Sequence, residues 1–236
     1  ERCTALYGVP TMFIAELHHP MFDLFDMSCL RTGIMAGSLC PVELMKQVEE
    51  KMYMKVTSVY GLTETAPGMT ASRIDDPFDV RCNTVGHDFE FTEVKVIDPE
   101  TGEECPVGVQ GEMCNRGYNT MKGYYKNPEA TAQIIDVNGW LHTGDLGVMD
   151  EEGYVTVRGR SKNMLLTSSG QNIYPEEIES KLNNMPYVAE SIIVQQNEKL
   201  VGLVYPDFDD AFAHGLNNDD IERVMEENLS LIHISE

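Results

Sequence analysis

The sequence predicts an α/β protein: a parallel sheet with helices, then a small β-barrel-like subdomain, then a small α+β unit. Three observations carry this. Residues 30–38 read as a buried strand ending in a glycine turn, followed by an amphipathic helix and by a strand at 55–60. Strand, helix and strand in that order make a βαβ crossover, whose strands run parallel. Beyond Pro67 the pattern changes to short β-like runs separated by turn clusters, as in antiparallel subdomains. A cationic stretch, Arg158-Gly159-Arg160-Ser161-Lys162, then precedes a third pattern of strands and helices. The expected organisation is 1–84 (α/β), 85–157 (barrel-like), 158–162 (linker), 163–228 (small α+β domain) and 229–236 (tail). A length of 236 residues suits one large or two modest domains, at a prior of about 150 residues per domain.

In chain order, Val9-Pro10-Thr11 marks the end of a strand and the start of a helix, because proline is at home in the first helical turn. Tyr7, Val9, Met12 and Phe13 then either line the mouth of an apolar pocket or fill the core. His18-His19-Pro20 reads as a loop, with no partner spacing for a metal. Pro41 opens a helix whose apolar face is Leu44, Met45, Val48 and Met52. The strand at 55–59 ends in Tyr60-Gly61-Leu62-Thr63-Glu64-Thr65. Short strands follow at 93–97, 111–115 and 154–157, and Pro128 starts a helix between the second and third. Met164 to Thr167 reads as a strand, Ser168-Ser169-Gly170-Gln171-Asn172 as a polar loop, and Pro175 as a helix start with Glu176 and Glu177 where the dipole favours them. Strands at 191–195 and 200–205, an acidic loop at 207–210 and a helix begun by Asn217-Asn218 complete the unit.

The net charge of −22 argues against nucleic acid, whose phosphates are bound by Lys and Arg. Any phosphate site must therefore use backbone N–H groups, a divalent cation and a few local cations. Six scattered cysteines without a CxxC pair read as reduced thiols of a cytoplasmic protein. Neither a membrane-spanning run nor a signal peptide is expected. The opening Glu and the closing Leu-Ser-Leu-Ile-His-Ile-Ser-Glu, which resembles translated adapter sequence, suggest an internal gene fragment with a foreign tail.

Open α/β sheets place ligands at the carboxyl ends of their strands. Gly37-Ser38 and the Tyr60 turn both fall there. Thr63 offers a hydroxyl to a phosphate oxygen, Glu64 a carboxylate to Mg²⁺, and the Tyr60 ring a wall for adenine or an acyl chain. Asp145, between Gly144 and Gly147, can accept from both hydroxyls of a ribose; the same pattern also reads as an Asx turn. The cations around Gly159 read either as a solvated connection or as a hinge carrying charge to an anion.

Taken in order, Ala36-Gly37-Ser38, Tyr60-Gly61-Leu62-Thr63-Glu64, Gly111-Glu112, Gly117-Tyr118 with Met121-Lys122-Gly123-Tyr124, Thr143-Gly144-Asp145 and Gly159-Arg160-Ser161-Lys162 resemble the adenylate-forming superfamily. The chain looks most like its fatty-acyl-CoA synthetases. The resemblance implies the C-terminal part of that superfamily's large domain followed by its small lid domain. It also implies an AMP-forming acid–thiol ligase: ATP and a carboxylic acid give acyl-AMP, and coenzyme A then takes the acyl group. By resemblance Thr63 and Glu64 are catalytic, with Glu64 the Mg²⁺ ligand. Gly37, Ser38, Tyr60, Gly61, Thr63, Asp145 and Arg160 bind the nucleotide, and Lys162 is the hinge. Ser169, Gly170 and Gln171 border the coenzyme A channel, while Tyr7, Gly8, Val9, Pro10 and Phe13 line the acyl pocket. The family's Ser/Thr/Gly-rich phosphate loop and its C-terminal catalytic lysine have no counterpart in the sequence, so the chain alone is expected to be inactive. The competing readings are an adenylating domain that loads a carrier protein and a non-catalytic AMP-binding module.

Overall fold

A computed structural model describes residues 2–38, 40–166, 172–183, 185–196 and 199–231. The chain divides into two compact units, Glu1–Arg158 and Gly159–Glu236.

The first unit opens with β1 (Ala5–Gly8), α1 (Pro10–Leu17), β2 (Thr32–Ala36), α2 (Val42–Met52) and β3 (Lys55–Tyr60). Pro10 occupies the first turn of α1, as its missing N–H permits. In α2, Leu44, Met45, Val48 and Met52 form the buried stripe that the sequence pattern predicts. They pack with Phe13, Leu17, Met35, Met54 and Val56 into one apolar core. β1, β2 and β3 are adjacent and parallel, with Gly8 beside Met35 and Ala36 beside Val59. Three carboxyl ends are thereby brought level: Gly8-Val9, Gly37-Ser38 and Tyr60-Gly61. Two short antiparallel strands, β4 (Thr70–Ala71) and β5 (His87–Asp88), extend this sheet beyond β3.

Between β4 and β5 lies α3 (Phe78–Asn83), a helix absent from the sequence reading. Its purpose in packing is Arg81, which is buried. Arg81 Nη1 donates to Glu49 Oε1 of α2 at 2.6 Å and to the Val56 carbonyl of β3 at 2.7 Å, and Nε donates to the Asp76 carbonyl at 3.1 Å. One guanidinium thus pins three segments.

A second sheet follows, built from β6 (Thr92–Ile97), β7 (Gly111–Gly117), β8 (Leu141–Met149) and β9 (Val155–Arg160) in that order, with α4 (Pro128–Ile134) between β7 and β8. Asn127 caps α4, its side chain accepting from the Ala130 N–H at 3.0 Å. The expected barrel-like region is this sheet, and its strand order is linear. Met69, Val96, Met113 and Val155 form its core, against which the Tyr60 ring packs. β8 is a strand absent from the sequence reading, which gave Asp145 an Asx turn as the alternative to ribose binding. Gly144, Asp145 and Gly147 are weak strand formers, and the ladder to β7 overrides them.

In the second unit a one-turn helix (Ser161–Asn163) leads to β10 (Leu165–Leu166), β11 (Asn172–Ile173), α5 (Pro175–Leu182), β12 (Val188–Gln196), β13 (Lys199–Pro206), α6 (Phe208–Ala213) and α7 (Asn218–Leu231). β12 and β13 form an antiparallel hairpin. Ala211, Ile221 and Met225 make its small core. The expected acidic loop at 207–210 is instead the start of α6. Asp207 accepts from the Asp210 N–H at 3.0 Å, and Asp209 and Asp210 sit in the first turn, so the acids cap a helix. Asn217 caps α7 in the same way, accepting from Asp219 and Asp220. α7 extends into the stretch read as foreign, and residues 232–236 lie outside the described ones. No helix among the described residues is long and apolar enough to cross a membrane.

Truncating Arg81 removes the cation and leaves the Val56 carbonyl and Glu49 without their shared donor. Arg81→Ala is expected to destabilise the chain by about 3 kcal/mol, read as a shift in urea unfolding midpoint. An unchanged midpoint would show that the buried guanidinium holds nothing.

Candidate functional site

The Tyr60 turn is held from within. Residues 63–65 form one helical turn, in which the Leu62 N–H donates to Thr65 Oγ1 at 2.9 Å and the Thr65 N–H to the Leu62 carbonyl at 3.0 Å. Thr65 is fully buried as a result, whereas Thr63 is exposed. A Cβ on Gly61 would overlap the Pro67 carbonyl oxygen, so glycine is required there by a close backbone approach. Downstream, Asn119 ties the same loop to β7. It donates to the Gly68 carbonyl at 2.8 Å and accepts from Asn115 at 3.1 Å.

Glu64 meets a partner that sequence reasoning missed. The Tyr124 hydroxyl donates to Glu64 Oε1 at 2.7 Å, and the Met121 N–H donates to the Glu64 carbonyl at 2.8 Å. The bond to Glu64 raises the Tyr124 pKa, which keeps the phenol a donor. Residues 121–124 belong to a motif quoted in the sequence, but no spacing rule links them to Glu64.

Asp145 is aimed by an irregularity in the second sheet. Along the β7–β8 ladder Glu112 faces Leu146 and Cys114 faces His142. Between those pairs a single residue of β7, Met113, stands opposite three of β8: Thr143, Gly144 and Asp145. Such bulges bend a strand and redirect side chains. Gly144 has φ +72°, and a Cβ there would touch nothing, so it is the backbone conformation that calls for glycine. Thr143 Oγ1 donates to the Met113 carbonyl at 2.7 Å and accepts from the Asp145 N–H at 3.1 Å. Asp145 is buried, and its Oδ2 accepts from the Tyr60 hydroxyl at 2.6 Å. The Tyr60 and Asp145 motifs, read separately in the sequence, therefore meet directly.

Gly37 has φ +89° at the end of β2, and Ser38 is exposed beside it; a Cβ on Gly37 would lie 3.1 Å from Val9 Cγ1. Tyr7 and Val9 are exposed, Gly8 is half-buried and Pro10 is buried. Phe13 is only 1% exposed and belongs to the apolar core beneath α1. Arg160 and Lys162 fall in the second unit, Arg160 ending β9 and Lys162 in the turn after it, both exposed. Ser169, Gly170 and Gln171 lie outside the described residues.

A further group, Glu112, Cys114 and His142, brings its donor atoms within 4.8 Å of one another. Both Glu112 oxygens are already engaged, Oε1 by the Gly144 N–H at 2.9 Å and Oε2 by His142 Nδ1 at 3.0 Å. Burial pushes the Cys114 thiol up to about 12, which keeps it neutral. The set reads as a hydrogen-bonded support for the bulge.

Residues 1–125 match the family model of the AMP-binding enzymes. This chain belongs to that family. Relatives of the AMP-binding chain include YngI of Bacillus subtilis (strain 168), named for an inferred acyl-CoA synthetase activity, at 55% identity over 82% of the chain. Acyl-CoA ligase SID4 of Ajellomyces capsulatus is 44% identical over 86% of it. Mitochondrial medium-chain acyl-CoA ligase ACSF2 of Rattus norvegicus is 38% identical over 86%. The chain spans about a third of these relatives' own length, 35%, 35% and 33% respectively. Among solved structures, the anthranilate CoA ligase AuaEII with anthranoyl-AMP matches at TM-score 0.81 and 25% identity, covering 99% of this chain and 43% of that one. ATP-bound MatB of Rhodopseudomonas palustris matches at TM-score 0.74 and 31% identity, covering 96% and 44%.

In this AMP-binding enzyme chain, Gly61 is a position where added volume meets backbone. Gly61→Ala is expected to cost about 1–3 kcal/mol of stability, seen as a lowered thermal midpoint. A midpoint at or above that of the unaltered chain would contradict the close approach to Pro67.

Proposed function

We propose that this chain is the nucleotide-binding part of an AMP-forming acid–thiol ligase. The enzyme activates a fatty acid with ATP to acyl-AMP and passes the acyl group to coenzyme A. The observation that supports the reading is the 2.6 Å bond from Tyr60 to Asp145, which sets the Asp145 carboxylate beside the turn that bears Thr63 and Glu64. The relatives' names, acyl-CoA ligase and medium-chain acyl-CoA ligase, favour coenzyme A over a carrier protein as acceptor.

In this reading Asp145 accepts from the ribose hydroxyls, and the Tyr60 ring, Gly37, Ser38 and Gly61 wall the nucleoside. Thr63 Oγ1, exposed at the rim, donates to a phosphate oxygen. Tyr7, Gly8, Val9 and Pro10, at the neighbouring strand end, line the entry of the acyl chain, with Phe13 supporting them from the core. Arg160 adds a contact to ribose or phosphate, Lys162 marks the hinge of residues 158–162, and residues 169–171 border the coenzyme A channel. Gly159, at φ +147°, gives that hinge a backbone freedom that other residues lack.

The residues present fit Mg²⁺, which is held in such sites by one or two carboxylates together with substrate phosphates. Glu64 supplies one carboxylate, oriented by Tyr124. Bound there, Mg²⁺ would neutralise charge on the phosphates as the carboxylate attacks the α-phosphorus. The protein's own share is orientation, because phosphoryl and nucleotidyl transfer depend mainly on positioning and fixed dipoles. The proposed location is the cytoplasm.

In the complete enzyme, Glu64→Gln is expected to lower fatty-acid-dependent pyrophosphate release by about 100-fold while leaving AMP affinity within about threefold. The 236-residue chain alone is expected to bind AMP and to release no pyrophosphate above background. Full activity of the Glu64→Gln enzyme, or robust turnover by the chain alone, would overturn the assignment.

A further inference from the structure

We infer that Glu112 is a positioning residue for nucleotide binding: by accepting from the Gly144 N–H it holds the β8 bulge in the one shape that points Asp145 toward Tyr60. The inference rests on the reading of Asp145 as the ribose-binding carboxylate, and it names the group that fixes that carboxylate in place.

A three-against-one bulge loses ladder hydrogen bonds across its own width, so something else must satisfy its backbone. Here two side chains do so. Thr143 bridges the Met113 carbonyl and the Asp145 N–H from inside the bulge. Glu112 acts from the facing strand, at 2.9 Å from the Gly144 nitrogen. An ionised carboxylate is a stronger acceptor for a backbone N–H than a neutral group, and both of its oxygens are used.

The second oxygen is what makes Glu112 rigid. A carboxylate only accepts, so His142 Nδ1 donates to Oε2 across 3.0 Å, and Cys114 Sγ packs 3.7 Å from the same nitrogen. His142 immediately precedes the bulge, and Gly144 is its middle residue. Glu112 therefore grips the bulge at its entrance and at its centre. With Glu112 on an adjacent strand and its side chain largely buried at 15% exposure, this grip does not depend on a mobile loop.

The consequence lies in ribose recognition. Losing the Glu112 contact removes one of the bonds that hold Gly144 at φ +72°, and a shift there carries the adjacent Asp145 carboxylate with it. In the proposed reading Gly37, Ser38, Gly61 and Thr63, which lie outside this bulge, supply other nucleotide contacts, so the defect is expected chiefly at the two ribose hydroxyls.

The test uses calorimetric titration of the 236-residue chain with AMP and with 2′,3′-dideoxy-AMP, alongside thermal unfolding of each variant. The unaltered chain is expected to prefer AMP by about tenfold, and Asp145→Ala to abolish that preference. Glu112→Ala, and Glu112→Asp whose carboxylate is one methylene too short to reach Gly144, are expected to bring the ratio close to one. Glu112→Gln, which keeps an oxygen acceptor for Gly144, is expected to restore it to within about twofold of the original. An intact preference in a folded Glu112→Ala or Glu112→Asp chain, with Asp145→Ala defective, overturns the positioning role and leaves the ribose reading standing. Failure of a folded Glu112→Gln chain to recover also overturns it. No preference in the unaltered chain, or an unchanged one in Asp145→Ala, overturns both.

Discussion

The hydrogen bond from Tyr60 to Asp145 joins the last parallel strand of the first unit to the bulged strand of its antiparallel sheet. Tyr60 closes the third parallel strand, and its ring packs on the core of the antiparallel sheet while its hydroxyl reaches the bulged strand of that sheet. Together with the bonds from Tyr124 to Glu64 and from Asn119 to the Gly68 carbonyl, this contact holds the glycine turn of the parallel sheet beside the carboxylate of the antiparallel one. A buried carboxylate needs a donor, and the Tyr60 hydroxyl supplies one without adding charge. Position and satisfaction are met by the same group.

The rest of the site is arranged so that conformationally costly segments are each held from a second place. The turn after Tyr60 is braced internally by Thr65 and externally by Asn119. The Glu64 side chain is oriented by Tyr124, and the bulge bearing Asp145 is braced by Thr143 and Glu112. None of these supports is a lysine or arginine. Under the proposed reading these groups shape the site, while Mg²⁺ at Glu64 and the Arg160 guanidinium meet the charge of the phosphates.

Much of the scaffold was legible because it rests on local rules. Pro10, Pro128 and Pro175 mark helix starts since their fixed φ and missing N–H are tolerated only there, and the stripe of Leu44, Met45, Val48 and Met52 repeats with the period of a helix. Gly37 and Gly61 announced turns at strand ends. What escaped was β8, whose Gly144, Asp145 and Gly147 look like a turn until β7 pairs with them. Also missed were α3, which is short, and α6, whose acidic opening resembles a solvated loop. Each is stabilised by a partner distant in the chain or by a cap that local composition disguises.

The sequence by itself determined where the chain turns and which polar side chains stand there: an ordered series of glycine turns, hydroxyls and carboxylates that together resemble one superfamily. Tertiary structure alone decided how they are paired. Tyr60 finds Asp145 across 85 positions and Glu64 finds Tyr124 across 60, and Glu112 reaches Gly144 only because the strands between them pair out of step. Such contacts follow from strand register and from a bulge, which are set by packing over the whole sheet and leave no periodic trace in the chain.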